Sequence, residues 1–323
     1  MTPVEGAGLV ALFAVVLYAI FGGADFGGGV WDLLATGPRA SEQREAITHA
    51  IGPVWEANHV WLIFAVVVLF TCFPIAFADL SVGLFPPLTI ALVGIVLRGA
   101  AFVFRNYATD EARLSNTLTL VFGISSLIAP FFLGDAAGSL ASGRYAWLSP
   151  FALSIGLFGV VLCAQVAAVF LLSEVPSGAV HDDFRRRTIR VTLALWLAGL
   201  IPATMAFVSE PRLLAAFERP YVIAIVSVAM LAGILVMVLA ARGANNLTRF
   251  AVGLETIAIL AAWFAAQAPD IVPGRYTYMD AASPASTIVA FLIAVACGAV
   301  FLIPSLVLLF AIFKRPVPAP PPH

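Results

Sequence analysis

Cysteine, histidine and charge are all scarce in this chain, and each scarcity removes a class of function. Cys72, Cys163 and Cys297 are the three cysteines, all in apolar runs with no C-x-x-C pairing or metal-ligand spacing, so they read as packing residues. Charged residues make up only 11% of the 323 residues against 62% hydrophobic, with a mean hydropathy of +1.02; a soluble domain carries about 25% charged residues. This composition is that of a polytopic membrane protein. The net charge is −1 and the 17 Lys and Arg are scattered, which leaves no basic face for nucleic acid. Met1 to Gly8 contain no Lys or Arg, so the basic region of a cleaved secretory signal is missing and the first apolar run is expected to be a retained span.

A helix needs about 20 apolar residues to cross the hydrocarbon. Runs of that kind predict an all-α fold with about nine transmembrane helices, at roughly residues 7–34, 54–78, 82–105, 115–137, 149–173, 189–208, 220–241, 248–267 and 287–313. Ser149-Pro150, Arg219-Pro220 and Gly243-Ala244-Asn245-Asn246 punctuate them as turns. Lys and Arg favour short cytoplasmic loops. With the N-terminus outside, twelve basic residues fall inward: Arg39, Arg44, Arg105, Arg113, Arg185, Arg186, Arg187, Arg190, Arg242, Arg249, Lys314 and Arg315. Four fall outward (Arg144, Arg212, Arg219 and Arg275), and Arg98 lies within a span. An N-out, C-in chain needs an odd number of crossings, which agrees with nine. The longest connections, about 173–190 and 267–287, are loop-sized, so residues 1–315 are expected to form a single membrane domain. Residues 316–323 form a proline-rich tail, expected to be extended.

Ionisable groups at membrane depth are costly and are usually kept for ion paths, proton relays or cofactor contact. Gly52-Pro53-Val54-Trp55-Glu56-Ala57-Asn58-His59-Val60-Trp61-Leu62 concentrates an acid, an amide and an imidazole at the start of an apolar run. Glu56 and His59, three apart, are neighbours on one helix face. Such a pair could ligate a metal, but the di-metal bundles that use it need a second copy, and none is present. A proton relay or a buried hydrogen-bonded pair is the favoured reading. Trp55 and Trp61 read equally as interfacial anchors or packing groups.

In the first span, Asp25 is embedded in Gly22-Gly23-Ala24-Asp25-Phe26-Gly27-Gly28-Gly29, and Asp32 follows seven residues later on nearly the same face. Gly23-x-x-x-Gly27 also fits close helix packing, and Asp32 fits a place at the cytoplasmic interface. Arg98 in the third span needs a partner at depth, with Asp25 or Glu56 the candidates, unless it snorkels to the headgroups. Glu255 in the eighth span and Gln165 in the fifth are either site residues or satisfied interior polar groups. Haem calls for His, Met, Cys or Tyr axial ligands; His49 and His181 are assigned to loops and His323 ends the chain, so only His59 lies in a span. A bis-histidine haem held by this chain alone is not expected.

With Trp55-Glu56-Ala57-Asn58-His59-Val60-Trp61-Leu62 behind the glycine-rich Asp25 segment and ahead of Leu97-Arg98-Gly99, the chain resembles subunit II of the cytochrome bd quinol oxidases. The similarity is strongest over about the first 110 residues. It implies two helix bundles plus one peripheral helix in the bacterial cytoplasmic (inner) membrane. It implies a respiratory complex that oxidises quinol and reduces dioxygen to water, in which subunit I carries haems b and d and the quinol site. Subunit II is then a haem-free partner supporting assembly and proton or oxygen access. Some family members hold a structural quinone or a small accessory subunit. By position, Asp25 matches the second acid of the family's D-G-F-D-L-G segment, Glu56 the acid after its tryptophan, Asn58 its asparagine and Arg98 its third-span arginine. Gly22 stands where the first acid is usual, Ala57 where glycine is usual, and His59 where Glu or Gln is usual. These departures leave the proton route open and point to a divergent branch.

The expected site is therefore a polar cluster of Asp25, Glu56, Asn58, His59 and Arg98, with Asp32, Trp55 and Glu255 as further candidates. A proton-coupled transporter, with the same acids binding the coupling ion at mid-membrane, is the rival reading. A scaffold whose polar groups only fix helix packing is the third.

Overall fold

The computed structural model describes residues 2–105 and 112–313, apart from the side chains of Ile51, Pro53, Glu56, residues 112–115, Leu306 and residues 309–313. Asn106, the Arg113 side chain, Lys314, Arg315, the proline-rich tail and His323 lie outside the described residues. The chain runs through α1 (Pro3–Leu33), α2 (Ala40–Cys72), α3 (Pro74–Gly83), α4 (Phe85–Arg105), α5 (Ala112–Ala141), α6 (Pro150–Glu174) and α7 (Ala179–Ser209). It continues through α8 (Pro211–Phe217), α9 (Pro220–Ala241), α10 (Asn245–Gln267), strands β1 (Asp270–Val272) and β2 (Tyr276–Thr277), and α11 (Ala285–Phe313).

Several helix starts are dictated by local chemistry. Thr2 and Glu5 form a reciprocal capping box ahead of Pro3, and Ser149 accepts from the Ala152 amide ahead of Pro150; each satisfies amides that the first turn leaves without partners. Prolines at the first position also open α3, α8 and α9, where a missing N–H does no harm.

Among the described residues eight helices are long and apolar enough to cross a membrane: α1, α4, α5, α6, α7, α9, α10 and α11. The expected second span, 54–78, is divided at Phe73-Pro74 into the end of α2 and the short α3, because Pro74 cannot continue the hydrogen-bond ladder of α2. The apolar part of α2 is Ala57–Cys72, yet the helix begins at Ala40, well before the expected start. Likewise α7 begins at Ala179, so most of the expected 173–190 loop is helix. Hydrophobic runs mark where a helix is apolar, whereas Arg, Glu and Gln propagate a helix into water as readily as Leu does within it. His49 and His181 are accordingly helical, which corrects their assignment to loops. The 267–287 connection is also structured: β1 and β2 pair antiparallel, a small departure from an all-α chain.

Ion pairs sort the connections onto two ends. Arg39 with Asp183, Arg105 with Asp32, Arg249 with Glu174, and the Asn245–His181 hydrogen bond gather the ends of α1, α2, α4, α6, α7 and α10. The opposite end holds Arg144 with Glu210, Arg212 with Asp270, and Arg275 with Asp79. There Tyr145 donates to Asp79 at 2.7 Å; burial and the adjacent carboxylate hold its phenol above the ordinary range.

Helix α1 is the hub, packing on α2, α5 and α6 and touching α10 and α11. α4 packs on α5, α7 and α10 pack on α6, and α9 lies against α7 and α10. The α1–α6 contact sets the tightest spacing. A Cβ on Gly27 would lie 1.9 Å from the Cys163 carbonyl oxygen, so backbone meets backbone and only glycine fits. Trp31 Nε1 donates to the Ala164 carbonyl at 2.7 Å along the same seam. Gly27→Ala is expected to cost about 1–3 kcal/mol through overpacking, read as a lower thermal unfolding midpoint in detergent. Gly253→Ala, whose Cβ would meet nothing within 4 Å, serves as the neutral control; equal midpoints for the two variants would contradict the close contact.

Candidate functional site

Two acids on α1 face two arginines on α4 in matching register. Asp25 and Asp32 are seven residues apart, and so are Arg98 and Arg105; seven residues span two turns, about 10.5 Å. Arg98 Nη2 forms an ion pair with Asp25 Oδ1, each side chain only 1% exposed. Arg105 Nη1 pairs with Asp32 Oδ2 at 3.1 Å, and its Nη2 donates to Thr48 Oγ1 at 2.7 Å. Phe122 of α5 lies against both guanidinium groups, 5.0 Å from Arg98 and 4.9 Å from Arg105, and Phe102 lies beside Phe122, 5.3 Å from Arg98. Aromatic faces are among the few surfaces that can cover a guanidinium without abolishing its electrostatic stabilisation.

The alternatives left open by the sequence now resolve geometrically. Arg98 does not snorkel: it is among the largest fully buried side chains and its partner is Asp25. Asp32, next to the last residue of α1, is buried at 0% exposure, with Arg44 donating to its carbonyl at 3.3 Å. Arg44, Thr48, Arg105 and Phe122 were not singled out as site residues. The sequence signal that would have found Arg105 is the shared seven-residue spacing of the two acids and the two arginines.

Asn58 joins the pair from α2, its Nδ2 donating to Asp25 Oδ2 at 3.3 Å. A Cβ on Gly22 would lie 3.1 Å from Asn58 Oδ1; the space that a longer residue at 22 would take is filled by the Asn58 amide. His59 donates from Nδ1 to the Trp55 carbonyl at 2.9 Å, since a carbonyl can only accept, and its ring meets Trp55 edge-on at 5.5 Å. This leaves Nε2 with the lone pair in the neutral ring. His59 is also within electrostatic reach of Asp25. Trp55 leans on Phe102 at 5.7 Å, and Trp61 is buried edge-on against Phe13, so both indoles pack within the protein. Glu56 lies in α2 between Trp55 and Ala57, and its side chain is outside the described residues.

Several buried polar atoms of this ladder have no hydrogen-bond partner among the described residues: Arg98 Nε and Nη1, Asn58 Oδ1, Asp32 Oδ1, Trp55 Nε1, and Tyr18 Oη two turns before Asp25 on α1. Buried donors and acceptors of this kind are where internal water is held.

Glu255 does not join this cluster. Its Oε2 accepts from Gln165 Nε2 at 2.8 Å, and the same amide reaches Thr192 Oγ1 at 3.1 Å. Trp196 donates to the same carboxylate. Glu255 and Gln165 are thus hydrogen-bond partners in a second polar core between α6, α7 and α10, where Gln165 Oε1 has no partner among the described residues. Among the described residues no three His, Cys, Asp or Glu side chains converge as metal ligands would.

Truncating one member of a buried ion pair strands the other, a loss of about 3–5 kcal/mol, whereas removing both is far milder. Arg98→Leu is therefore expected to lower the yield and melting temperature of the assembled protein more than the Asp25→Asn, Arg98→Leu double variant does. Additive losses in that cycle would show that the two side chains do not depend on each other.

Residues 6–313 match the family model described as cytochrome bd terminal oxidase subunit II. The chain is 26% identical over 176 residues to the cytochrome bd ubiquinol oxidase subunit 2 of Bacillus subtilis (strain 168), covering 51% of this chain and 52% of that protein. It is 26% identical over 170 residues to the cytochrome bd-I ubiquinol oxidase subunit 2 of Escherichia coli (strain K12), covering 48% and 44%. The matched regions thus span about half the length of these relatives. A chain in the structure of the bd oxidase from Geobacillus thermodenitrificans has the same fold, with TM-score 0.82 over 97% of this chain and 99% of that one, at 22% identity.

Proposed function

Because this chain belongs to the cytochrome bd terminal oxidase subunit II family, we propose that it is the haem-free subunit of a quinol:oxygen oxidoreductase and carries protons toward the haem-bearing subunit I. The observation behind this reading is the ladder of Asp32–Arg105 and Asp25–Arg98. It starts at the arginine-rich end of the helices and continues past Asn58 to Tyr18 through buried atoms without protein partners among the described residues. Charged pairs at this depth lose more in desolvation than an apolar pair would, and a chain that needed only packing has cheaper solutions.

In this proposal α2 is the ninth crossing, since its 33 residues span about 50 Å although its apolar part is short. The arginine-rich end faces the cytoplasm, as the positive-inside rule requires, and places the N-terminus outside and the C-terminus inside. The helices group as α1, α2, α4 and α5 and as α6, α7, α9 and α10, with α11 peripheral. They form a single domain in the bacterial inner membrane.

Protons enter beside Asp32, Arg44 and Thr48 and pass to Asp25. Arg98 neutralises the Asp25 carboxylate before a proton arrives, the net positive charge left by the proton's arrival drives it onward, and Asn58 orients the carboxylate. Glu56 and His59 extend the relay along α2; an imidazole, with two ring nitrogens that can take up and release protons, suits such a step. The donor set fits haem poorly: His59 is one imidazole with no second strong axial ligand near it on α2. Haems b and d are assigned to subunit I, where they supply the electron transfer and dioxygen chemistry. Quinol and dioxygen are substrates of the complex, and a structural quinone or a small accessory subunit, if present, adds to it without altering the ladder.

Glu56→Gln and Asp25→Asn, each in the assembled complex, are expected to slow quinol-driven oxygen uptake by about 10²-fold or more, the range for loss of a positioned proton-transfer group, while the haem absorption spectrum stays in place. Full turnover would remove that residue from the route. Loss of the haem spectrum would reassign it to assembly. A proton-coupled transporter would instead purify without any haem-bearing partner.

A further inference from the structure

Helix α6 has two faces at one level, and each makes a different kind of contact. Cys163, Ala164, Val166 and Ala167 face α1: the Cys163 carbonyl and the Ala167 methyl group leave no room for a side chain at Gly27, Val166 fills the space over Gly23, and Ala164 accepts from Trp31. Gln165, between them in sequence, points the other way into the polar core of Glu255, Thr192 and Trp196. That core is as tightly built as the seam. A Cβ on Gly233 of α9 would lie 2.6 Å from Glu255 Oε1 and 2.9 Å from Trp196 Nε1, so α9 closes over the carboxylate with no space to spare. Thr192 is held in turn, donating to the Thr188 carbonyl at 2.8 Å.

We propose that Glu255 is a positioning residue for the proton route: by gripping Gln165 it sets the rotation of α6 about its own axis, and α6 in turn sets where α1 presents Asp25 to Arg98. The proposal rests on the reading of Asp25 as a proton carrier. The lever is short. The α-helix backbone lies about 2.3 Å from its axis, so a rotation of α6 by roughly 20° displaces the Cys163 carbonyl by about 0.8 Å. The Gly27 contact cannot absorb that displacement, so α1 moves, and Asp25 sits between the two contact glycines, Gly23 and Gly27. A dipolar grip specifies rotation better than apolar packing does, because a hydrogen bond is lost within a small angular error whereas methyl groups slide over one another. Glu255 acts here as an acceptor only, and takes up or releases no proton during turnover.

The test compares variants in the assembled oxidase, with oxygen uptake normalised to haem so that poorly assembled material does not count. Glu255→Leu and Gln165→Leu remove the grip from opposite sides and are expected to slow turnover by roughly tenfold, in line with the cost of small misplacements remote from the chemistry. Glu255→Gln is expected to retain most of the wild-type rate. Gln165 can reverse its amide so that Oε1, which has no partner among the described residues, accepts from the new NH2 group and from Thr192, whose hydroxyl turns from the Thr188 carbonyl, while the new carbonyl accepts from Trp196. The infrared band of the Asp25 carboxyl group, identified by its loss in Asp25→Asn, is expected to shift in Glu255→Leu and Gln165→Leu but not in Glu255→Gln.

A Glu255→Gln variant as slow as Glu255→Leu would overturn the proposal, since ionisation rather than hydrogen bonding would then be what matters. An unmoved Asp25 band with full turnover in both leucine variants would also overturn it, leaving the core as packing for its own helices. Full turnover in Asp25→Asn would sink the proton-route reading instead, while the band shift would still report whether Glu255 positions Asp25.

Discussion

A guanidinium and a carboxylate buried between helices, each only 1% exposed, constrain the surrounding structure. Each is intolerable alone at that depth, so α1 and α4 must deliver Asp25 and Arg98 to the same place. The demand recurs two turns away at Asp32 and Arg105. α5 supplies Phe122, which packs against both guanidinium groups, and α2 supplies Asn58. Four helices are thereby committed to one arrangement by electrostatics, in an environment where apolar contacts with neighbouring helices and with lipid are nearly equivalent.

Glycine makes the arrangement reachable. The α1–α6 seam brings a backbone carbonyl against Gly27, and such proximity lets dispersion and a buried indole hydrogen bond do what the hydrophobic effect cannot do inside a bilayer. The same glycine-rich segment carries Asp25. Asp25 thus lies on the stretch of backbone whose position is least adjustable, which suits a carboxylate that must meet Arg98 and Asn58 within hydrogen-bonding tolerance.

The second polar core, built on Glu255 and Gln165, answers the same physical demand with different chemistry. Its carboxylate is met by an amide and an indole and has no arginine. Buried acids in this chain thus sit in different surroundings: Asp25 and Asp32 are paired with arginines, whereas Glu255 is enclosed by neutral groups. A difference of environment around like groups is what gives them different character within one protein.

Composition, hydropathy and the unequal distribution of arginine were enough to recognise a polytopic membrane chain, most of its spans, and Asp25, Asn58, His59 and Arg98 as residues out of place in hydrocarbon. The cost of burying charge is a property of the residue type and is visible without coordinates. Helix ends were less legible: α2 and α7 run on into polar sequence because hydropathy reports the solvent around a helix and not its hydrogen bonds. Partnership was the least legible of all. That Arg98 chose Asp25, that Arg105 took Asp32, and that Gln165 and Glu255, 90 residues apart, satisfy one another depended on how helices distant in sequence rotate and approach, which only their packing in three dimensions decides.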